Sequence, residues 1–302
     1  MRELTRYQGV IPAFYACYDE TGAVSPRRVE ELTRYLIDKG VTGLYVGGSS
    51  GECIYQSVEE RKLVLEHAVA AAGGHITVIA HVACNNTRDS CALAAHAESL
   101  VVDAIAAIPP IYFKLPEPSI AAYWNAISDA APHTDFIIYN IPQLAGVELT
   151  LPLLREMKKN PRVIGVKNSS MPVYDITRFR REGAIVFNGP DEQFVSGLAA
   201  GAVGGIGGTY AAMPELYLTA RRRVLGGDVE GACAMQDEIC RIIELLCSGK
   251  CNMYAMIKEV LRQQGGPDIG DVRPPLAGLT PPDRETAAAC VQAIQAAKER
   301  FC

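Results

Sequence analysis

The sequence predicts an α/β protein, a (β/α)8 TIM barrel with extra C-terminal helices. Short apolar, β-prone runs recur eight times within about two hundred residues, and helical stretches separate them. The runs are nearly continuous rather than alternating, as expected for parallel strands that are covered on both faces. The chain has 302 residues, of which 49% are hydrophobic, so it can bury one large core. These observations favour a closed barrel over several small domains.

Helix signals fall in the gaps between the eight predicted strands. We place the strands at 9–15, 43–47, 76–82, 103–108, 135–141, 162–167, 184–188 and 202–206. Ser25-Pro26 begins a helix that Gly40 ends, and the capping box at 57–60 begins a second helix. Thr150 with Pro152 begins another helix, which ends before Asn160-Pro161.

The last quarter of the chain is helical by pattern. Breaks fall at Gly226-Gly227 and Gly249, and a loop runs from 265 to 282. We therefore expect the barrel to span 1–225 and a helical extension to span 226–302. A doubly wound open sheet is the alternative, but the glycine and serine run at 47–51 does not match the dinucleotide fingerprint.

Composition excludes several kinds of partner. The net charge of -5 argues against nucleic acid and against an anionic membrane surface. The start of the chain, 1–7, lacks the apolar stretch of a signal peptide, and no run has the length of a membrane span. Ten scattered cysteines indicate free thiols in a reducing compartment, so we expect a cytoplasmic protein. Neither cysteines nor histidines show ligand spacing, and no metal site is predicted.

Lys167 is the first candidate for chemistry. It ends the sixth predicted strand, where an amine is poorly hydrated, and poor hydration favours its neutral, nucleophilic form. Such a lysine could form a Schiff base with a ketone. A lysine that merely closes a strand and reaches for solvent is the alternative on this residue alone.

Other candidates lie where the barrel strands end, since active groups of such barrels come from the carboxyl ends. Tyr139 ends the strand before Lys167 and could relay protons to it. The loop with Ser49 and Ser50 offers N–H groups and hydroxyls to a carboxylate. Asp191-Glu192 could accept hydrogen bonds from sugar hydroxyls, and the glycines at 204–208 leave room for a ligand.

Together these motifs resemble the N-acetylneuraminate lyase and dihydrodipicolinate synthase family of class I aldolases. The resemblance covers almost the whole chain and rests on five segments in order: Gly47 to Glu52, Tyr139 to Pro142 with Gly146, Gly165 to Lys167, Asn188 to Glu192, and Gly204 to Tyr210.

The resemblance implies a role for each matching residue. Lys167 would form the imine with pyruvate or a derived 2-oxo acid, Tyr139 would relay protons, and Tyr112 would come from a neighbouring subunit. The residues implied in substrate binding are Ser49, Ser50, Gly189, Asp191, Glu192, Gly207, Gly208 and Tyr254. No cofactor is implied besides the covalent imine on Lys167, and the implied assembly is a homotetramer built from tight dimers.

The lyase branch is the closer match. The synthase branch carries an arginine where this chain has Leu144, and a leucine cannot pair with a second carboxylate. Gly208 replaces a serine of the lyase pattern, so the aldehyde half of the substrate stays open. We therefore expect an aldolase that cleaves a 2-oxo sugar acid such as N-acetylneuraminate to pyruvate and an aldehyde. A synthase-like condensation, a 2-oxo-3-deoxy sugar acid dehydratase or aldolase, and a non-catalytic sugar-acid-binding barrel are the alternatives.

Overall fold

The computed structural model describes residues 4–302. The first three residues of the segment that argued against a signal peptide lie outside the described range. Eight strands occur where the sequence predicts them. They are β1 Gly9–Pro12, β2 Gly43–Val46, β3 Thr77–His81, β4 Ala104–Ala107, β5 Asp135–Asn140, β6 Val163–Asn168, β7 Ile185–Asn188 and β8 Gly204–Gly207.

The strands form one parallel sheet with the order β1-β8-β7-β6-β5-β4-β3-β2. The circle closes between β1 and β2, where Ala13 bridges Tyr45 in parallel and the Phe14 N–H donates to the Tyr45 carbonyl over 2.9 Å. The predicted (β/α)8 barrel is thereby confirmed, and the open doubly wound sheet is excluded for this chain.

Two hydrophobic clusters follow from this closure. One fills the barrel and includes Tyr45, Ile137 and Phe187, whereas the larger one lies between the strands and the surrounding helices. Where β1 and β8 meet, a Cβ on Gly204 would lie 2.1 Å from the Gly9 carbonyl oxygen. Only a glycine permits that approach of two backbones.

Twelve α-helices surround and extend the barrel in the described range. They are α1 Pro26–Asp38, α2 Val58–Ala72, α3 Thr87–Ser99, α4 Glu117–Asp129, α5 Pro142–Ala145, α6 Leu151–Met157, α7 Tyr174–Arg181, α8 Phe194–Ala199, α9 Pro214–Leu225, α10 Val229–Cys247, α11 Met253–Gln263 and α12 Pro281–Phe301. In residues 4–302 no helix combines the length and the apolar character that a membrane span needs.

The helix boundaries follow the predicted signals. Ser25 caps α1, Thr150 caps α6, and Ser57 forms a reciprocal capping box with Glu60 at the start of α2. Gly73 ends α2 with a φ of +57°, which favours glycine.

The C-terminal helices pack on the barrel as well as on one another. Helix α10 lies against α9 and against the 3-10 turn Asp191–Gln193, while α11 packs on α12. A buried ion pair joins α11 to the loop after β2, since Lys258 Nζ donates to Glu52 Oε1 over 3.0 Å. The start of α11 is thereby held over the mouth of the barrel. The division at residue 226 stays a prediction.

Candidate active site

Lys167 projects from the end of β6 into the barrel mouth. Every residue of this strand is buried, and Lys167 itself is only 4% exposed. Among the described residues, no carboxylate forms an ion pair with its amine. Burial lowers the pKa of Lys167 to about 7, and the negative charge of Asp191 opposes this shift. A large fraction of the amine, about half at pH 7, is therefore neutral.

Two aromatic faces flank the amine. Nζ lies 3.9 Å from the ring centroid of Tyr139 and 4.0 Å from that of Tyr45. Tyr139 is opposite Lys167 in the β5–β6 register, as its position at the end of the adjacent strand predicts. The ring of His81 lies 6.0 Å from both tyrosine rings. Burial lowers the pKa of His81 to about 3, so its ring is neutral and donates from Nδ1 to the Gly47 carbonyl.

The Tyr139 phenol remains protonated. Burial raises its pKa well above the usual value, while interactions with the hydroxyls of Ser169 and Ser49 oppose the shift. A protonated phenol beside a neutral amine can pass a proton to or from a group bound at that amine.

The loop after β2 brings two hydroxyls to the same cavity. Ser49 and Ser50 follow Gly48, where an added Cβ would lie 2.7 Å from the ring of Tyr45. The turn is closed by a hydrogen bond of 3.0 Å from the Gly51 N–H to the Gly48 carbonyl. A compact turn of this kind presents both serines to a ligand.

Asp191 is the acidic group nearest to the chemistry. Its Oδ2 accepts from the N–H and the hydroxyl of Thr209, each over 2.7 Å, and Thr209 in turn contacts the Tyr217 hydroxyl over 2.7 Å. Its Oδ1 is buried and has no partner in the described part of the chain. Burial raises the pKa of Asp191 to about 6, against the two bonds from Thr209. Thr209 thus fixes the orientation of the Asp191 carboxylate.

One cavity of about 270 Å³ unites these groups. Of the residues named from the sequence, its wall includes Lys167, Tyr139, Ser49, Ser50, Gly189, Asp191, Glu192, Gly208 and Tyr254. An added Cβ on Gly189 would lie 2.1 Å from Ser169 Oγ, so this glycine allows the wall to close tightly. The ring of Tyr254, from α11, meets that of Tyr15 edge-on at 5.8 Å.

Two of the named residues lie elsewhere. Gly207 is behind the wall, where an added Cβ would lie 2.0 Å from Asp191 Oδ1. Its effect on the cavity is therefore indirect, because it leaves the space that Asp191 occupies. Tyr112 is 90% exposed and lines a separate surface cavity beside Phe113, so a single chain does not bring it to Lys167.

The sequence argument missed several parts of the site. Ser169 and Thr209 add hydroxyls, while Met171, Ile243 and Met253 form an apolar side of the cavity. Tyr45 and His81 lie beneath the amine. Ser169 was visible as a polar residue next to Lys167, but the helical contributors Ile243 and Met253 carry no local signal.

The fold and the site define a class. The molecule is a (β/α)8 barrel enzyme with a buried lysine of lowered pKa among phenols and hydroxyls at the carboxyl ends of its strands.

Comparisons with known proteins agree with this class. The model of the dihydrodipicolinate synthetase family matches residues 6–294. An N-acetylneuraminate lyase from Mediterraneibacter gnavus is 60% identical over 304 residues, which cover 100% of this chain and 96% of that protein.

Solved structures give the same result. A catalytic lysine mutant of the Ruminococcus gnavus sialic acid aldolase has a TM-score of 0.99 and 59% identity, with 100% of both chains covered. CdNal from Clostridium difficile, in complex with mannosamine, has a TM-score of 0.90 and 29% identity, covering 94% of this chain and 98% of that one.

The chain belongs to the dihydrodipicolinate synthetase family, and the resemblance seen in the sequence is confirmed. Within the family it is similar to the N-acetylneuraminate lyases, and it is an enzyme of the lyase class.

Proposed function

We propose that this chain is a Schiff-base-forming lyase that cleaves a 2-oxo sugar acid such as N-acetylneuraminate to pyruvate and an aldehyde. One observation carries the proposal: a buried amine with a pKa of about 7 faces a cavity that also holds two serines and two acids. The identity of 60% with a lyase over the full chain supports it.

The first step is imine formation. The neutral amine of Lys167 attacks the ketone carbon, and the C–N bond forms as the carbonyl oxygen takes protons and leaves as water. Tyr139 relays one proton from the nitrogen to this oxygen and donates a second one, which it regains from solvent, so that water leaves and the imine is cationic. Ser49 and Ser50 bind the substrate carboxylate and so orient the ketone towards Nζ.

Cleavage follows from the charge of the imine. The second carbon from the imine carbon carries a hydroxyl, and this hydroxyl loses its proton. The bond between that carbon and the carbon next to the imine carbon then breaks, and the electron pair of the bond moves to the imine nitrogen. The aldehyde leaves, and the enamine then takes a proton on carbon. Water releases pyruvate and restores the amine, so the chemistry needs no cofactor or metal.

The polar wall of the cavity suits a hydroxylated tail. Asp191, which Thr209 holds in place, and Glu192 lie on the same wall of the cavity. Carboxylates accept hydrogen bonds from sugar hydroxyls. Leu144 lines the cavity where a condensing enzyme needs a cation for a second carboxylate, which disfavours condensation. The mannosamine bound by CdNal supports an amino-sugar aldehyde.

Two measurements test the proposal. Pyruvate release from N-acetylneuraminate, within a panel of 2-oxo sugar acids, should be fast for the wild type and lost in Lys167→Ala. Borohydride added with pyruvate should attach a mass to Lys167. Turnover that survives in Lys167→Ala would refute the imine, whereas loss of water without pyruvate release would identify a dehydratase.

We also propose a cytoplasmic homotetramer of tight dimers, in which Tyr112 reaches the site of the adjacent subunit. Tyr112 has a φ of +88° and is 90% exposed, and Phe113 beside it is 71% exposed. A non-glycine residue rarely adopts that φ unless its surroundings hold it. An apolar slot of about 410 Å³ opens beside Ser49 and Tyr254, and it could receive an aromatic ring from a second copy. All ten cysteines fall in the described range and carry free thiols, which suits a reducing compartment.

Subunit complementation tests the role of Tyr112. Tyr112→Ala and Lys167→Ala should each be inactive, but their mixture after subunit exchange should contain intact sites. In a two-fold dimer, random pairing returns about a quarter of the wild-type activity. A mixture with no activity, despite exchange proven by mass, would show that Tyr112 does not act across the contact.

A further inference from the structure

The ring of Tyr45 is the second of the two faces that enclose the Lys167 amine, and the mechanism above gives it no role. Tyr45 is fully buried, and its ring centroid lies 4.0 Å from Nζ. Its ring meets that of Tyr139 edge-on at 5.8 Å. The amine thus sits at the corner of two rings whose faces carry negative potential.

Local packing fixes this ring in place. Tyr45 belongs to β2, and its backbone is bridged by Ala13 at the closing seam of the barrel. Gly48 lies against the ring edge, because any Cβ there would come within 2.7 Å of it. The Tyr45 hydroxyl is buried and has no partner in residues 4–302. The ring, not the hydroxyl, is therefore what Tyr45 offers to the amine.

We propose that the ring face of Tyr45 stabilises the positive charge of the imine nitrogen, as a third group in the chemistry beside Lys167 and Tyr139. This inference rests on the proposed role of Lys167 as the imine-forming residue.

The choice of a ring over a carboxylate has a chemical reason. The free amine must be neutral to attack the ketone, yet the imine it forms must be cationic to draw electrons from the breaking bond. A carboxylate in contact would stabilise the imine but would also hold the amine protonated. A ring face attracts a cation more weakly, so it assists the imine while the amine can still lose its proton.

The sign of a pKa change separates this role from a structural one. The other titratable groups that face Nζ come from four elements and are Cys53, His81, Tyr139 and Asp191. Loss of an attractive ring face lowers the pKa of Lys167 below its present value of about 7. If the ring only fills space, its loss admits water and raises the pKa of Lys167 towards the ordinary lysine range.

The experiment traps the imine with borohydride over a range of pyruvate concentrations and pH values. Tyr45→Leu should weaken apparent pyruvate binding by about 30-fold, which is ~2 kcal/mol, and should shift the pKa of trapping to lower pH. Tyr45→Phe keeps the ring and should stay within about threefold. Phe136→Leu is the matched control, since it removes a fully buried ring from β5 on the side that faces the helices.

A series of fluorinated variants tests the same inference if Tyr45→Leu does not fold. Replacing Tyr45 by phenylalanines with one, two and three ring fluorines keeps the shape and weakens the negative face stepwise. Pyruvate affinity should fall with each fluorine. Unchanged affinity across this series, a rise in the trapping pKa of Tyr45→Leu, or equal losses in Tyr45→Phe and Tyr45→Leu would each overturn the inference. Absence of trapping in the wild type would instead overturn the proposed role of Lys167.

Discussion

Replacement of Lys167 by methionine should stabilise the fold at neutral pH while it abolishes turnover. The folded state holds the amine in a poorly hydrated place and lowers its pKa from 10.5 to about 7. In the unfolded chain the same amine is charged and hydrated. Folding at pH 7 therefore carries the cost of removing that charge, and a methionine of similar length has no such cost.

The magnitude follows from the shift. At pH 7 a change from 10.5 to about 7 corresponds to about 4 kcal/mol of lost stability. That pKa already contains the attraction of the Tyr45 and Tyr139 faces for the charged amine. Since a swap to a side chain of similar volume usually costs up to about 1.5 kcal/mol, we expect a gain of about 2 to 4 kcal/mol for Lys167→Met. The unfolded state binds more protons between pH 7 and 10.5, so wild-type stability rises with pH in that window. The advantage of the variant should therefore shrink as the pH approaches 10.5.

Urea unfolding of the wild type and of Lys167→Met at pH 7, 8.5 and 10 measures this advantage. The difference between their free energies of unfolding cancels the pH response of all other groups. Val166→Ala, one residue earlier in the same buried strand, serves as a control because its loss of stability should not depend on pH. A variant that is less stable than the wild type at pH 7, or an advantage that is constant with pH, would refute the desolvation argument.

Three further predictions concern the walls of the cavity. Gly207→Ala places a Cβ 2.0 Å from Asp191 Oδ1, and it should lower the free energy of unfolding and reduce kcat/KM for N-acetylneuraminate at least about tenfold. Gly208→Ala, with its nearest atom at 3.6 Å, should leave the free energy of unfolding unchanged. Equal free energies of unfolding for the two variants would contradict this. Asp191 has a pKa of about 6, so from pH 7 to 5 it loses its charge and the KM of a hydroxylated substrate should rise about tenfold. Lys167 titrates in the same range, so Asp191→Asn should keep only the part of the rise that Lys167 causes, and a rise as large as that of the wild type would exclude Asp191 from tail binding. Lys258→Met leaves the Glu52 carboxylate buried without its cation, and the free energy of unfolding should fall by about 3 to 5 kcal/mol; a loss below 1 kcal/mol would show that the pair is solvated.

Much of the fold could be predicted from the sequence, because each barrel strand is buried on both faces and therefore forms a continuous apolar run. The closeness of Tyr139 and Lys167 followed from the same logic. Both residues end neighbouring strands, and parallel strands bring their carboxyl ends to one mouth. The cap residues of α1 and α2 were equally visible, since their signals are local.

The positions of Tyr45 and His81 next to the Lys167 amine could not be predicted for a related reason. In Leu44-Tyr45-Val46 all three residues are apolar or aromatic, so the run shows no alternation that would tell which side chain enters the barrel. The structure places Tyr45 in the interior cluster and its two neighbours in the outer one. The burial that makes a parallel strand easy to recognise thus hides which of its side chains faces the barrel interior.

The C-terminal extension shows a second reason. Ile243 and Met253 reach the cavity only because α10 and α11 lie across the barrel mouth, and no local pattern specifies how a helix docks. One contact that holds α11 in this position is the buried ion pair of Lys258 with Glu52. Lys258 lies one turn after Tyr254, and Glu52 belongs to the loop that carries the two serines. Since the barrel and the extension also share one hydrophobic cluster, we propose that residue 226 marks a change of architecture within a single folding unit. A barrel without the extension would lose both partners of the Glu52 carboxylate, the Lys258 amine and the Arg273 N–H, and one wall of its cavity.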